Sequence, residues 1–282
     1  MKRVLLIGGS GQLGTAIRQR WSDCAIAAPP REELELADRT AMRGAIERFR
    51  PDVLINAAAF HEVDRCEDEP EQAFAINALA VGAAAALARE NGTVFVTVST
   101  DYVFDGETTA PYREDNAPRP ISVYGVSKLA GEYLVEALGM RAFVVRTCGL
   151  YGRSANQRGR KSFIERVLSQ RRGDPPLRVV TDVVASPTFA GDLADALARL
   201  VETDAYGLYH TVNAGAVSWY DFATEAIAQA GAQARLEPIA ASERQARAAR
   251  PRFSALENAK LGRLGVSMPS WRAGIAAYLA LR

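Results

Sequence analysis

Histidine, cysteine and lysine are all scarce in this 282-residue chain, with two, three and four copies respectively. His61 and His210 stand at no metal-ligand spacing from a cysteine, so no metal site is expected. A Ser-His-Asp hydrolase would have to draw on one of these two histidines, and the G-x-S-x-G elbow is missing. Cys24, Cys66 and Cys148 are far apart and odd in number, which argues against a disulfide framework. Charge imbalance is lacking too: a net charge of +1 gives no field to favour nucleic acid or a membrane surface. No apolar run reads as long enough to span a membrane, so none is expected as a partner. The charged and then apolar start, Met1 to Gly8, is too short for a signal peptide and reads as a first strand, which leaves a cytoplasmic location as the expectation.

What is present is a β-α rhythm. Strands are expected over Val4–Ile7, Cys24–Ala28, Val53–Ile55, Thr93–Ser99 and Ala142–Arg146. Helices are expected over Gln12–Trp21, Thr40–Phe49, Pro70–Arg89 and Tyr124–Leu138. The run Thr93–Ser99 is β-branched and apolar on both faces, as in a buried strand of a parallel sheet. The pattern predicts an α/β fold: a Rossmann-type doubly wound parallel sheet with its sites at the carboxyl ends of the strands. After Gly149 the rhythm changes, with short strands expected over Arg178–Val184, Tyr206–Asn213 and Leu236–Ile239. Residues 1–150 are therefore expected to form a dinucleotide-binding domain. Residues 151–282 are expected to form a smaller substrate domain, part of which can return to the first sheet.

Three motifs carry chemistry. Gly8, Gly11 and Gly14, with Ser10, Gln12 and Leu13 between them, follow a strand and open a helix. Glycine there allows a tight turn and close backbone approach to a pyrophosphate lying at the helix N-terminus. The second expected strand ends without an acid, and Arg31 follows shortly. An arginine can hold a ribose 2′-phosphate, so NADP(H) is favoured and NAD(H) stays open. Equally, Arg31 can be a surface residue paired with Glu32 or Glu35.

The second motif is Tyr124-Gly125-Val126-Ser127-Lys128, which stacks a phenol and an ammonium on one helix face. The ammonium is expected to lower the phenol's pKa; about three units would correspond to roughly 4 kcal/mol. The phenol can then protonate a carbonyl oxygen. The third motif is Ser99-Thr100-Asp101-Tyr102-Val103-Phe104, at the end of the most strand-like run. There the Ser99 or Thr100 hydroxyl can polarise a substrate oxygen, or merely satisfy backbone groups. Asn56-Ala57-Ala58-Ala59 ends the strand before it, with side chains small enough for a flat cofactor to pass. The run Glu243–Arg252 carries Arg244, Arg247, Arg250 and Arg252, either as a solvated segment or facing phosphate.

Together these segments resemble the extended short-chain dehydrogenase/reductase superfamily and, more narrowly, the dTDP-4-dehydrorhamnose reductase family. Ser-Thr-Asp-Tyr-Val-Phe-Asp-Gly (99–106) and Tyr-Gly-Val-Ser-Lys-Leu-Ala-Gly-Glu (124–132) are the specific parts. The likeness continues through Arg146-Thr147, Ser186-Pro187-Thr188, Asn213-Ala214-Gly215, Ser218 to Phe222 and Arg250-Pro251. It implies NAD(P)H-dependent reduction of the 4-keto group of dTDP-4-dehydro-L-rhamnose to dTDP-L-rhamnose, for polysaccharide synthesis, with a homodimer open. By the same likeness Tyr124 is the general acid, Lys128 binds the nicotinamide ribose and Thr100 binds the reacting oxygen. Ser10, Gly11 and Gln12 hold the pyrophosphate, while Glu35, Leu36, Ala57, Ala58, Ala59, Phe60 and Ser99 line the cofactor path. Asp101, Tyr102 and Gly149 belong to the substrate side. Gly149 stands where members often carry a tryptophan on the sugar, so the pocket is either looser or closed by another residue such as Trp219. Arg146, Arg158 to Lys161 and Arg250 are candidates for the substrate diphosphate or for structural ion pairs. An epimerase or dehydratase on the same scaffold, and a non-catalytic NADP-binding subunit, are the competing readings.

Overall fold

Apolar side chains at consecutive strand positions must point to opposite faces, and here both faces are covered. The computed structural model describes residues 1–155, 161–171 and 173–281. The first half runs β1 (Lys2–Ile7), α1 (Gln12–Arg20), β2 (Cys24–Ala27), α2 (Arg39–Phe49), β3 (Val53–Asn56), α3 (Val63–Asp68), α4 (Pro70–Phe74), a π-helical turn (Ala75–Ala80), α5 (Val81–Glu90), β4 (Val94–Thr100), α6 (Val123–Glu136) and β5 (Ala142–Thr147). The second half runs α7 (Phe163–Leu168), β6 (Leu177–Val180), β7 (Val184–Ala185), α8 (Ala190–Leu200), β8 (Gly207–His210), β9 (Val217–Ser218), α9 (Trp219–Ala230), β10 (Leu236–Ile239), α10 (Ala259–Arg263) and α11 (Trp271–Leu279).

Six strands form one parallel sheet in the order β2-β1-β3-β4-β5-β8. Val4 and Leu6 of β1 enter the core under α1 and α8, while Leu5 and Ile7 enter the core under α2 and α5. Val96 and Phe95 of β4 divide in the same way. The chain leaves β1 toward β2 and then crosses to β3 on the other side. This reversal opens a crevice beyond the carboxyl ends of β1 and β3, where a doubly wound sheet binds its ligand. β8, from the second half, is the sixth strand of this sheet, and α8 packs on α1 with Arg20 paired to Asp195. The remaining second-half strands make two small pairs, β10 with β6 and β7 with β9.

The membrane reading of the sequence needs correction. The continuous helical stretch Pro70–Glu90, 21 residues with a mean hydropathy of 1.4, is long and apolar enough to cross a membrane by length and composition. In the fold, half of that window is buried, and Val81, Ala84, Ala85, Leu87 and Ala88 pack against the sheet. It is a core helix whose alanines permit close packing.

Arg146 of β5, 3% exposed, donates from Nε and Nη2 to the Glu132 carboxylate on α6, the shortest contact being 2.6 Å. Its guanidinium also lies 5.1 Å from the centre of the Phe104 ring. A buried ion pair adds little over an apolar pair, but removing one partner strands a charge. Glu132→Ala is expected to destabilise the fold by about 3–5 kcal/mol, read as a lower midpoint in urea unfolding; a change below about 1 kcal/mol would show that water reaches Arg146.

Candidate active site

The turn after β1 is shaped by contacts that only glycine tolerates. Gly8 has φ of 80°, and a Cβ there would lie 2.9 Å from the Ala57 carbonyl carbon and the Ala58 nitrogen. A Cβ on Gly14 would collide with the Gly8 carbonyl oxygen. The β1 and β3 loops are therefore in backbone contact, and Ala57 donates its N–H to Ile7 O at 3.0 Å. Gly11 caps α1 without a side-chain hydrogen bond, leaving the first-turn N–H groups for an anion. Leu13 is buried in the core, so its part in such a site is limited to its backbone.

The β3 loop is held from the far side by Asn77, a buried residue of the π-helical turn. Asn77 Nδ2 donates to Phe60 O and to Ser127 Oγ, each at 3.0 Å, and Phe60 N–H donates to Asn77 Oδ1 at 2.9 Å. One amide thus fixes Phe60 against α6. The sequence reading missed it, because a lone asparagine in an alanine-rich helix carries no motif. An insertion of this π type within a helix is a common mark of a functional site.

α6 starts at Ser122, whose Oγ accepts from Gly125 N–H, while Glu67 accepts from Val123 N–H. Cβ atoms on Gly125 and Gly131 would collide with the carbonyl oxygens of Tyr102 and Asn77. This approach brings Tyr124 and Lys128 to the end of β4. The Tyr124 phenol comes close enough to the Thr100 hydroxyl to feel it, and its ring meets the Tyr102 ring edge-on at 5.7 Å. Lys128 is 4% exposed and donates from Nζ to Val98 O at 2.6 Å. Ser99 Oγ is buried without a hydrogen-bond partner among the described residues. A free donor group, two uncommitted Lys128 protons and a glycine cradle together fit a nicotinamide dinucleotide.

The electrostatics differ from expectation. Burial raises the Tyr124 pKa above the ordinary phenol value, opposed by the Thr100 hydroxyl. Lys128 does not lower it, because its ammonium is turned to the Val98 carbonyl. Burial instead pushes Lys128 down to about 8, with Glu132 acting weakly the other way. The phenol is therefore protonated at neutral pH, the form an acid needs.

On the substrate side, Thr100 donates to Asp101 Oδ1 at 3.0 Å and accepts from Tyr102 N–H at 3.2 Å. Asp101 was expected to face substrate. It is 3% exposed, and its carboxyl also accepts from the Cys148 thiol at 3.1 Å and from Ser254. Its pKa is raised by burial. It anchors Thr100 from behind. The space beside Gly149 is filled by Trp219, whose ring would lie 2.7 Å from a Cβ at that position. Trp219 in turn meets the Phe163 ring at 5.0 Å.

The phosphate candidates separate. Arg146 is buried and bonded to Glu132, the structural ion pair weighed for it. Residues 156–160, including Arg158, lie outside the described residues; Lys161 is exposed and donates to Ser169. Arg250 donates to Asp64 Oδ2 at 2.8 Å and hydrogen-bonds Tyr102. Arg31 is exposed and paired with Glu35, the surface alternative weighed for it. Leu36 is buried in the core, so only its backbone can line a cofactor path. His210 is buried, and burial followed by repulsion from Arg146 lowers its pKa to about 3, so it is neutral.

The fold and this site define the class: a parallel nucleotide-binding sheet of the short-chain dehydrogenase/reductase type, with Tyr124, Lys128 and Thr100 at the strand ends. Residues 1–281 match the family described as RmlD substrate binding domain, and the chain belongs to that family. A dTDP-4-dehydrorhamnose reductase of Streptomyces griseus is 36% identical, covering 97% of this chain and 91% of its own. The spore coat polysaccharide biosynthesis protein SpsK of Bacillus subtilis is 33% identical, covering 100% and 98%. The crystal structure of dTDP-4-dehydrorhamnose reductase from Bacillus anthracis in complex with NADP superposes with a TM-score of 0.95 at 32% identity, covering 100% and 99%.

The Lys128 geometry has a thermodynamic consequence. A folded pKa of about 8 against an ordinary 10.5 means that the unfolded chain binds the extra proton between those values. The stability contributed by Lys128 is present above pH 10.5 and is lost as pH falls through about 8. Relative to Lys128→Met, the wild-type chain should gain on the order of 2–3 kcal/mol between pH 7 and pH 10. Urea unfolding of both proteins at the two pH values measures it, and a constant difference would mean that Lys128 is solvated.

Proposed function

We propose that the chain reduces the 4-keto group of dTDP-4-dehydro-L-rhamnose to dTDP-L-rhamnose with NADPH. The observation that carries the reading is the buried, protonated Tyr124 phenol beside Thr100 at the end of β4, one helical turn from Lys128. Membership of the family and the names of the relatives support the substrate. When bound, NADPH would supply the hydride. Tyr124 delivers its proton to the carbonyl oxygen as charge develops there. Thr100 would bind the substrate oxygen by turning its single proton from Asp101 Oδ1 to it, beside the phenol that donates. Lys128 keeps two protons for the nicotinamide ribose while the third stays on Val98 O. Ser10, Gly11 and Gln12 would lie against the pyrophosphate, with donors from Ser10 and Gln12 while the Gly11 N–H holds the turn through Gly8 O at 3.0 Å, and Ala57 to Phe60 with Ser99 would line the nicotinamide path. Glu35 and the Leu36 backbone lie on the adenosine side. Arg31 reaches the 2′-phosphate by exchanging Glu35 for it. Trp219, seated against Gly149, closes the sugar pocket.

A dehydratase would need a second acid beside Asp101, where Tyr102 stands bonded to Arg250. A homodimer belongs to the same reading: Leu79, Val126 and Tyr133 are 65%, 40% and 52% exposed on the π-helical turn and α6. In sedimentation equilibrium the wild type should be dimeric and Tyr133→Glu largely monomeric; a wild-type monomer would remove the dimer.

The decisive measurement is oxidation of NADPH, and of NADH in parallel, with dTDP-4-dehydrorhamnose. An epimerase would consume no NADPH, and a regulatory subunit would bind it without turnover. Tyr124→Phe is expected to lower kcat by about 10²–10⁴-fold while NADPH affinity changes by less than about 3-fold. Wild-type turnover in that variant would take Tyr124 out of the proton transfer.

A further inference from the structure

The carboxyl behind Thr100 is buried beside the proton donor, yet the reduction as written above uses it neither as an acid nor as a base. Asp101 opens a single 3₁₀ turn (Asp101–Val103) directly after β4. Its two oxygens have separate partners. Oδ1 lies 3.0 Å from Thr100 Oγ1, and Oδ2 lies 3.1 Å from the Cys148 thiol that follows β5. Ser254 comes to the same carboxyl from the second half, its backbone N–H held by Val184 O at 2.8 Å. Among the described residues no ion pair reaches Asp101. The titratable groups facing it are the Cys148 thiol and the phenols of Tyr102 and Tyr124, and burial holds all three in the neutral, protonated form. Arg250, which acts on Tyr102, is committed to Asp64 at 2.8 Å. Hydroxyl and thiol donors offset only part of the cost of burying a charge, and the Asp101 pKa is raised accordingly.

The proton count at Thr100 decides what this carboxyl has to be. A threonine hydroxyl has one proton and two lone pairs. The Tyr102 N–H, 3.2 Å away, takes one lone pair. While Thr100 gives its proton to Asp101 Oδ1, it has none for a substrate oxygen. Once it turns that proton to the substrate, an ionised Oδ1 would face a bare lone pair across 3.0 Å, two acceptors in contact with no proton between them. A protonated Oδ1 removes the conflict. Its O–H points at the second lone pair of Thr100, the 3.0 Å contact is kept, and Oδ2 remains the acceptor for the Cys148 thiol. Thr100 is then saturated as an acceptor, so the Tyr124 proton is not spent on it.

We propose that Asp101 is a positioning residue that works as a neutral carboxylic acid: it donates from Oδ1 to Thr100 and so turns the Thr100 hydroxyl outward as a second donor, beside Tyr124, for the oxygen of the carbonyl being reduced. This rests on the reductase reading above. The Asp101 proton stays on Asp101 throughout, and the proton that ends on the product oxygen comes from Tyr124. Thr100 stabilises the charge that develops on that oxygen, as an oxyanion-hole donor does. Cys148 holds Oδ2, so Oδ1 is the oxygen turned to Thr100.

The test uses the whole chain and two separate readouts. The first needs no turnover. The infrared difference spectrum of wild type minus Asp101→Asn at pH 7 should show the C=O stretch of a protonated carboxyl. Carboxylate bands in its place overturn the proposal, whether or not the chain reduces the sugar. The second readout is kinetic. Asp101→Leu removes the donor, and kcat should fall about 10²–10³-fold while NADPH affinity changes by less than about 3-fold. Asp101→Asn, whose amide N–H donates to Thr100 as the acid does, should recover most of that loss. In a Thr100→Val background Asp101→Leu should cost less than about 3-fold more, because the two side chains act as one unit. Equal losses in folded Asn and Leu variants would mean that a charge is needed, and the proposal falls. Where Asp101→Leu does not fold, a loss above about 100-fold in a folded Asp101→Asn overturns it in the same way. An acid band in a chain that never oxidises NADPH would leave the neutral Asp101 standing and the reductase reading refuted.

Discussion

The contact between the backbone of α6 and two carbonyl oxygens positions everything chemical in this fold. At Gly125 the helix lies against Tyr102 O, and at Gly131 against Asn77 O, with no room for a Cβ at either point. A methyl group would push the helix outward by a distance of the order of an ångström, and misplacements of that size can cost about 10²-fold in rate. Because the helix cannot retreat, Tyr124 meets Thr100 at the end of β4 and Lys128 meets the carbonyl of Val98 two residues earlier on the same strand. Ser127, between them, takes the amide of Asn77 and so links the helix to the β3 loop. A single packing surface therefore orients the proton donor, the ammonium and the wall of the cofactor crevice.

Charge is distributed sparingly around that surface. Glu132 lies one turn beyond Lys128 and would be its natural counter-ion, but its carboxylate is held by Arg146. Lys128 is left with a carbonyl for company and a pKa near 8. Burial keeps the proton on Tyr124. Asp101 is surrounded by a hydroxyl, a thiol and a second hydroxyl, and burial favours its neutral form as well. Lys128, Tyr124 and Asp101 each sit closer to neutrality than they would in water, because burial disfavours the charged form of each.

How much was readable beforehand follows from what sequence encodes. Strands buried on both faces announce themselves as unbroken apolar runs, and β4 matched to within a residue at each end. The helix after the glycine turn and the pairing of Tyr124 with Lys128 needed only local periodicity. β8 was expected as a strand, but its return to the main sheet is a long-range choice that no local signal fixes. Arg146 stood open between a phosphate ligand and a structural ion pair because a sequence shows charge and not depth; in the fold it is buried against Glu132. The expected effect of Lys128 on Tyr124 failed for the same reason: spacing put them on one face, while the direction of the ammonium was set by Val98 O. Asn77 was unreadable, since its role depends on a π-helical turn that alanine-rich sequence does not distinguish from α-helix.

The second half of the chain completes the site by reaching back across it. Asp64 lies on α3, directly after the β3 loop, yet its partners are residues 247, 248 and 250, more than 180 positions away. Trp219 arrives from the start of α9 to fill the space that Gly149 leaves at the end of β5. Ser254 reaches the Asp101 carboxyl that anchors Thr100. Three separate stretches of the second half thus touch the β3, β4 and β5 ends, each through a different chemistry: a charged clasp, an aromatic wall and a neutral hydroxyl. A strained or displaced second half would loosen Thr100, open the pocket at Gly149 and free residues 244–252 together. The substrate-side geometry is therefore a property of the whole chain, while the glycine turn and α6 are built within the first half.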